Sequence, residues 1–144
     1  MTVEESSIQT VIDFLKALEG GTKAHVRDAY DTYFAEDCIY QNSGLPDMDK
    51  PATMDFFFSD MEGETGIVKL VADITHIAAT GNVVFTERVD HHYDKDGNDI
   101  LTPSICGIFE VKNGQFTRWA DYFDPNPMLH LFGMDETAPQ RSNP

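Results

Sequence analysis

The stretch from Gly81 to Asp124 constrains the fold of this chain more than any other. It reads as three successive β-strands, Val83 to Tyr93, Ser104 to Val111 and Phe116 to Asp124, with turns at Asp96-Gly97 and Asn113-Gly114. Both dipeptides tolerate positive φ and so favour tight hairpins. The result is a β-meander. Side chains two apart on a strand share a face, so Val84, Thr86, Arg88 and Asp90 point the same way. An ion pair is thereby set among apolar neighbours. In the third strand Trp119, Asp121 and Phe123 share a face, which puts a second carboxylate between two aromatics. Brought together as one concave surface, the two faces present Asp, Arg and Asp in an apolar pocket.

Helical patterns precede the strands. Ser6 or Ser7 is placed to cap a helix whose apolar positions Ile8, Val11, Ile12, Leu15 and Leu18 recur at helical spacing, until Gly20-Gly21 stops it. A second helix is expected from Thr22 or Lys23 to Ala35, with Glu36-Asp37 marking its end and a short strand over Cys38 to Asn42. After the loop Ser43 to Asp47, Asp49 and Pro51 cap and start a third helix. Its consecutive Phe56, Phe57 and Phe58 bury it on more than one side, as the roof of a cavity; these rings and Met48, Met54 and Met61 are read as core. A long strand from Thr65 to Ala79 alternates Val68, Leu70, Ala72 and Ile74 against Lys69, Asp73 and Thr75. Helices first and strands afterwards give an α+β class, with helices packed on one face of a curved, largely antiparallel sheet. Residues 1–134 are expected to form a single domain. Pro125-Asn126-Pro127 ends the last strand, Met128 to Met134 forms an apolar turn, and residues 135–144 read as a loose tail.

Charge narrows the partners. Twenty-five acidic residues against ten basic ones give a net charge of −15, which repels phosphate backbones and anionic lipid. Nucleic acid and membrane are not expected partners. Acids instead of a basic leader open the first helix, and the chain is expected in the cytoplasm. Cys38 and Cys106 read as buried free thiols. Asp94 to Asp99 superficially resembles a calcium loop, but Gly97 stands fourth instead of sixth and Ile105 occupies the twelfth position, so a hairpin tip is expected. His91 and His92 are adjacent and face opposite ways, and no histidine spacing suits a metal. Neither metal nor cofactor is expected.

Tyr40 and Asn42 also share a face and complete a set of five groups with Arg88, Asp90 and Asp121. Two carboxylates a few ångström apart repel by roughly 4 kcal/mol at an effective dielectric near 20, while an arginine between them holds both in position. One proton shared by such a pair supplies an acid and a base at neutral pH. A water held by carboxylate, phenol and carboxamide is then a nucleophile aimed in one direction. This is equipment for opening a strained ether.

Tyr40-Gln41-Asn42, Thr86-Glu87-Arg88-Val89-Asp90 and Trp119-Ala120-Asp121-Tyr122-Phe123-Asp124 resemble the active-site segments of the limonene-1,2-epoxide hydrolase family, and Cys106 to Val111 is also similar. The resemblance covers roughly residues 5 to 130. It implies a cone-shaped, cystatin-like fold of the nuclear transport factor 2-like (SnoaL-like) superfamily, a homodimer, and hydrolysis of an epoxide to a vicinal diol in one concerted step. It further implies Asp121 as general base, Tyr40 and Asn42 as holders of the water, Asp90 as the acid on the epoxide oxygen and Arg88 as the bridge. Ala120, where the family often has arginine, faces away from the site by strand parity. The expected pocket lining is Val84, Trp119, Phe123, Phe57, Leu70 and Ile108, around a terpenoid-like or cyclic epoxide. Two other functions use such a cone. A ketosteroid isomerase or polyketide cyclase needs one acid or base with an oxyanion donor, and a binding protein for small hydrophobic ligands has no need of Asp90.

Overall fold

In the computed structural model, residues 1–20, 23–61 (backbone alone for 57–61) and 66–134 are described. The first helix, α1 (Val3–Ala17), is started by Thr2 and not by Ser6 or Ser7. Thr2 Oγ1 accepts from the Glu5 N–H at 3.0 Å and Glu5 Oε1 accepts in return from the Thr2 N–H, a reciprocal cap that leaves Ser7 buried within the helix. A single tight turn, Leu18–Gly20, follows. Helix α2 (Lys23–Tyr33) ends earlier than its apolar spacing suggests. Phe34 and Ala35 instead begin strand β1 (Phe34–Asn42), which also contains Glu36 and Asp37. The cause is tertiary. Lys50, the first residue of α3 (Lys50–Met61), sends its buried ammonium to the carbonyls of Asp31 and Phe34 at 3.1 and 3.0 Å and so satisfies the end of α2. Asp49 caps α3 as expected, accepting from the Ala52 N–H at 2.9 Å.

The strands are β2 (Lys69–Thr80), β3 (Val83–Tyr93), β4 (Asp99–Leu101), β5 (Ser104–Lys112) and β6 (Gln115–Tyr122). They form one mixed sheet in the order β1-β6-β5-β3-β2, with β1 parallel to β6 and the other pairs antiparallel. At the β5–β6 turn Asn113 and Gly114 both take positive φ, 52° and 74°, as a hairpin of this type requires. At the other expected turn the Asp94 carboxylate accepts from the N–H groups of Asp96 and Asn98, which makes 94–98 a hairpin tip. Past the tip, β4 pairs with the end of β3, a strand too short to show in the sequence. Thr75 interrupts β2: Ile74 pairs with Arg88 and His76 with Glu87, so Thr75 is the extra residue of a bulge. Side-chain parity flips there. Leu70, Ala72 and Ile74 before the bulge, and Ile77 and Ala79 after it, therefore all pack against the core.

The helices cover one face of the sheet. Phe14 of α1 is fully buried against five aromatic rings, with centroids of Phe116 at 5.0 Å, Trp119 at 5.3 Å and Tyr30, Tyr33 and Phe34 a little farther. Cys38 is buried nearby, and burial pushes its thiol up to about 12. Cys106, by contrast, is exposed, because it lies on the outer face of β5 with Ile108 and Glu110. Helix α4 (Asn126–Leu131) follows β6, with Pro125 at its N-cap and Pro127 in its first turn, and residues 135–144 lie outside the described part. Among the described residues no helix is long and apolar enough to cross a membrane.

Phe14→Ala is expected to cost about 3–5 kcal/mol of stability, the range for removing a large buried aromatic. Urea unfolding followed by circular dichroism measures it.

Candidate active site

Register across the sheet decides which groups meet. Asn42 of β1, Asp121 of β6, Gly107 of β5 and Thr86 of β3 pair in one row. The adjacent row is Tyr40, Trp119, Phe109 and Val84. Its rings form a stack, Tyr40 on Trp119 at 4.1 Å and Trp119 on Phe109 at 5.0 Å, both near parallel. On the other side of the first row come Arg88 and then Asp90 along β3.

Arg88 is fully buried and its donors are almost all spoken for. Nε donates to Asp90 Oδ1 at 2.9 Å, Nη1 to Thr86 Oγ1 at 3.0 Å, and Nη2 to both Asp121 Oδ2 at 2.6 Å and Asp90 Oδ2 at 3.2 Å. One nitrogen thus bridges the two carboxylates. The guanidinium carbon stands 5.8 Å and 5.7 Å from the ring centroids of Phe109 and Trp119, within cation–π reach. Asp121 accepts further hydrogen bonds, from Trp119 Nε1 to Oδ1 at 2.7 Å and from the Tyr40 hydroxyl to Oδ2 at 3.2 Å. Its main chain is held as well. The Asp121 carbonyl accepts from Ser43 N–H at 3.1 Å, and Ser43 Oγ accepts from the Phe123 N–H, so the loop after β1 locks the end of β6.

Electrostatics follow from this burial. Burial, and next the charge on Asp90, raise the Asp121 carboxyl above the ordinary carboxylate range, against the pull of Arg88 and Trp119. Burial opposes the Arg88 charge, but Asp121 and Asp90 more than offset it and hold the guanidinium ionised. Burial and then Asp121 push the Tyr40 phenol well above its usual value, so it stays a hydrogen-bond donor. With both carboxylates ionised the trio carries a net −1 charge in a dry site; one added proton makes it neutral.

Gly107 is the residue this packing most depends on and the one the sequence did not single out. A Cβ there would collide with Arg88 Nη1, Asp121 Oδ1 and Thr86 Oγ1. Thr86, as acceptor for Arg88, and Trp119, as donor to Asp121, are likewise structural parts of the site beyond the five groups.

The cavity above this floor measures about 110 Å³. Asp90, Asp121, Tyr40 and Asn42 border it, while Arg88 lies beneath. Of the expected lining, Trp119, Phe123 and Leu70 stand in its wall. Val84 does not: register puts it at the far end of the aromatic row, beyond Phe109, fully buried. Ile108 does not either, since it alternates with the inward-facing Gly107 and Phe109 and occupies the outer face with Glu110. That shared face with a glutamate was the available signal. The side chain of Phe57 lies outside the described part, and its neighbour Phe56, read as core, lines the cavity with Phe132 tilted against it at 5.5 Å. Among the described residues no three His, Cys, Asp or Glu side chains are grouped to hold a metal ion.

Helices on one face of a curved mixed sheet around a cavity define a nuclear transport factor 2-like, SnoaL-like fold. An NTF2-like protein from Burkholderia pseudomallei shares it with a TM-score of 0.67 at 14% identity, over 88% of this chain and 96% of its own. A SnoaL-like protein from Shewanella denitrificans does so with 0.68 at 15%, over 90% and 98%. Residues 5–132 match the limonene-1,2-epoxide hydrolase catalytic domain, and the chain belongs to that family. It is 31% identical over 107 residues to epoxide hydrolase EphG of Mycobacterium tuberculosis; that match spans 71% of this chain and 65% of EphG. A solved LEH-like epoxide hydrolase of M. tuberculosis superposes with a TM-score of 0.68 at 28% identity, over 91% of this chain and 87% of its own.

Gly107→Ala should keep the fold at a cost of about 1–3 kcal/mol, the range for overpacking. A crystal structure of the variant should show the Arg88–Asp121 bond broken.

Proposed function

We propose that this chain is an epoxide hydrolase that adds water to an apolar, terpenoid-like or cyclic epoxide and releases a vicinal diol in one step, with no cofactor. The observation that carries the proposal is the single guanidinium nitrogen shared by two buried carboxylates on the floor of an apolar cavity. Asp121 acts as general base. A water between it, Tyr40 and Asn42 gives up a proton to the Asp121 carboxylate as its oxygen bonds to an epoxide carbon. The C–O bond of the ring breaks in the same step, and its electron pair takes the proton of Asp90. The step ends with the proton on Asp121 and none on Asp90, and their common hydrogen-bonded neighbour Arg88 holds both carboxyls ready for its return. A base whose pKa is raised toward the working pH accepts a proton more readily, which suits the burial of Asp121.

Asp121→Asn and Asp90→Asn should each lower diol formation at least about a hundredfold, with the circular dichroism spectrum retained. Tyr40→Phe and Asn42→Ala should cost about 10- to 1000-fold. Because Asp121 must be ionised to act, kcat/KM should fall as pH drops through its raised value, placing the acid limb above the usual pKa of about 4 for Asp. Single-turnover hydrolysis of limonene-1,2-oxide and cyclohexene oxide in ¹⁸O-water should put the label in the diol. Label in the protein would instead require a covalent ester, and no turnover of any epoxide would favour an isomerase, cyclase or binding role.

We further infer a homodimer formed through the sheet face that the helices leave uncovered. Ala78, Phe85 and Ile108 form an apolar row across it, flanked by Ile39 and Tyr122, and Phe85 and Tyr122 are 44% and 52% exposed. Two free cysteines suit a cytoplasmic, reducing setting. Sedimentation should give a dimer that Phe85→Asp converts to monomer; a monomeric wild type would sink the inference.

A further inference from the structure

Three polar residues of the cavity wall have no part in the proposed reaction: Tyr30, Lys69 and His92. Tyr30 is packed edge-on against Phe14 and Phe34 within the aromatic core. Lys69 alternates with the inward-facing Leu70, so its side chain leaves on the outer face. His92 is different. It stands on the inner face of β3, two residues beyond Asp90, with Leu70 of β2 and Leu101 of β4 opposite it on either side.

The ring is oriented by its surroundings. His92 Nδ1 lies 2.8 Å from the Leu101 carbonyl oxygen, and because a carbonyl only accepts, Nδ1 carries the hydrogen. In the neutral ring Nε2 is therefore an acceptor, and no described residue bonds to it. The backbone is fixed too. The His92 N–H donates to Asp99 Oδ1 at 3.2 Å, while Asp99 Oδ2 pairs with His91 Nδ1 at 2.6 Å. An oriented imidazole thus stands in the cavity wall with a leucine as its cross-strand neighbour on each side.

We propose that His92 is a specificity-determining residue that receives a hydroxyl group carried by the substrate. The inference rests on the epoxide-hydrolase reading of the same cavity and narrows its substrate class: apolar epoxides that bear a hydroxyl on the side of the molecule away from the reacting ring. The Cα atoms of Asp90 and His92 are two strand residues apart, roughly 6.6 Å, so the hydroxyl and the epoxide oxygen held at Asp90 are bound at separate points along one face of β3. A hydroxyl is the group that fits. It donates to Nε2 of the neutral ring and accepts from Nε2–H of the protonated one, whereas a ketone or ether lacks the donor for the neutral form. An alkyl group in its place would strip water from Nε2 and return no hydrogen bond.

The test uses two epoxides with one skeleton, p-menth-1-ene 1,2-oxide and α-terpineol 1,2-oxide, which differ by a single hydroxyl across the ring. Wild-type kcat/KM should favour the hydroxylated epoxide by about tenfold, the scale of one hydrogen bond. His92→Leu should bring that ratio near one, and His92→Gln, which keeps an acceptor, should retain part of it. A wild-type ratio near one, or a ratio untouched in His92→Leu, overturns the proposal. Binding of the corresponding diol and triol separates this from the hydrolase reading. Trp119, the only tryptophan of the chain, is in the cavity wall, so its fluorescence reports occupancy without turnover. Preference for p-menthane-1,2,8-triol over p-menthane-1,2-diol, lost in His92→Leu, supports the role of His92 even where no epoxide is hydrolysed, and then the hydrolase reading alone fails. Equal binding of the two overturns the role of His92 even in an active enzyme.

Discussion

The structure is arranged around a buried guanidinium. A charge with no solvent exposure must find its counter-charges and hydrogen-bond acceptors inside the protein, or it will not stay buried. Arg88 finds them in Thr86 and Asp90 on its own strand, and in Asp121 two strands away. The long-range bond fixes the rest, because β5 must lie between β3 and β6 and must carry no side chain where the guanidinium crosses it. Gly107 meets that condition. The electrostatic balance then does the chemical preparation. Two buried anions and one buried cation carry one net negative charge, which a single proton would neutralise.

The aromatic row beside the buried charges has a related function. Tyr40, Trp119 and Phe109 stack across three strands, so the two side chains that donate to Asp121 from within the row are immobilised by each other's faces. Phe14 presses on Trp119 from the helix layer. Helix packing and donor geometry are therefore one problem here. Preorganised donors need no rearrangement at the moment of reaction, which is the usual source of electrostatic advantage in such sites.

Much of this was legible in the residues. Asp96-Gly97 and Asn113-Gly114 mark hairpin tips because of their tolerance for positive φ, and from them the strand parities of Arg88, Asp90 and Asp121 follow. Tyr40 and Asn42 needed only a correct strand around them. What escaped depends on partners distant in sequence. The helical spacing of Val26, Ala29, Tyr30 and Tyr33 runs on into Phe34, and only the ammonium of Lys50 shows where the helix stops. Thr75 looks like any polar strand residue until the pairing of Ile74 and His76 reveals the bulge. Val84 has the inward parity and still misses the cavity, because depth along a strand is set by register. Ile108 was legible after all, since Ile105, Phe109 and Val111 form the more apolar face of β5.

Ser43 joins two properties that are separate in many pockets. The loop that begins with it contributes Leu45 to the cavity wall, and the same loop bonds the main chain of Asp121. Shape and reactivity are mechanically coupled on that side. Met128 of α4 and Phe132 at its C-cap line the cavity as well, and the loop packs on the start of that helix, where a Cβ on Gly44 would collide with Pro125 and touch Leu129. A change in the contour of this wall is therefore transmitted, through the loop, to the main chain that carries Asp121.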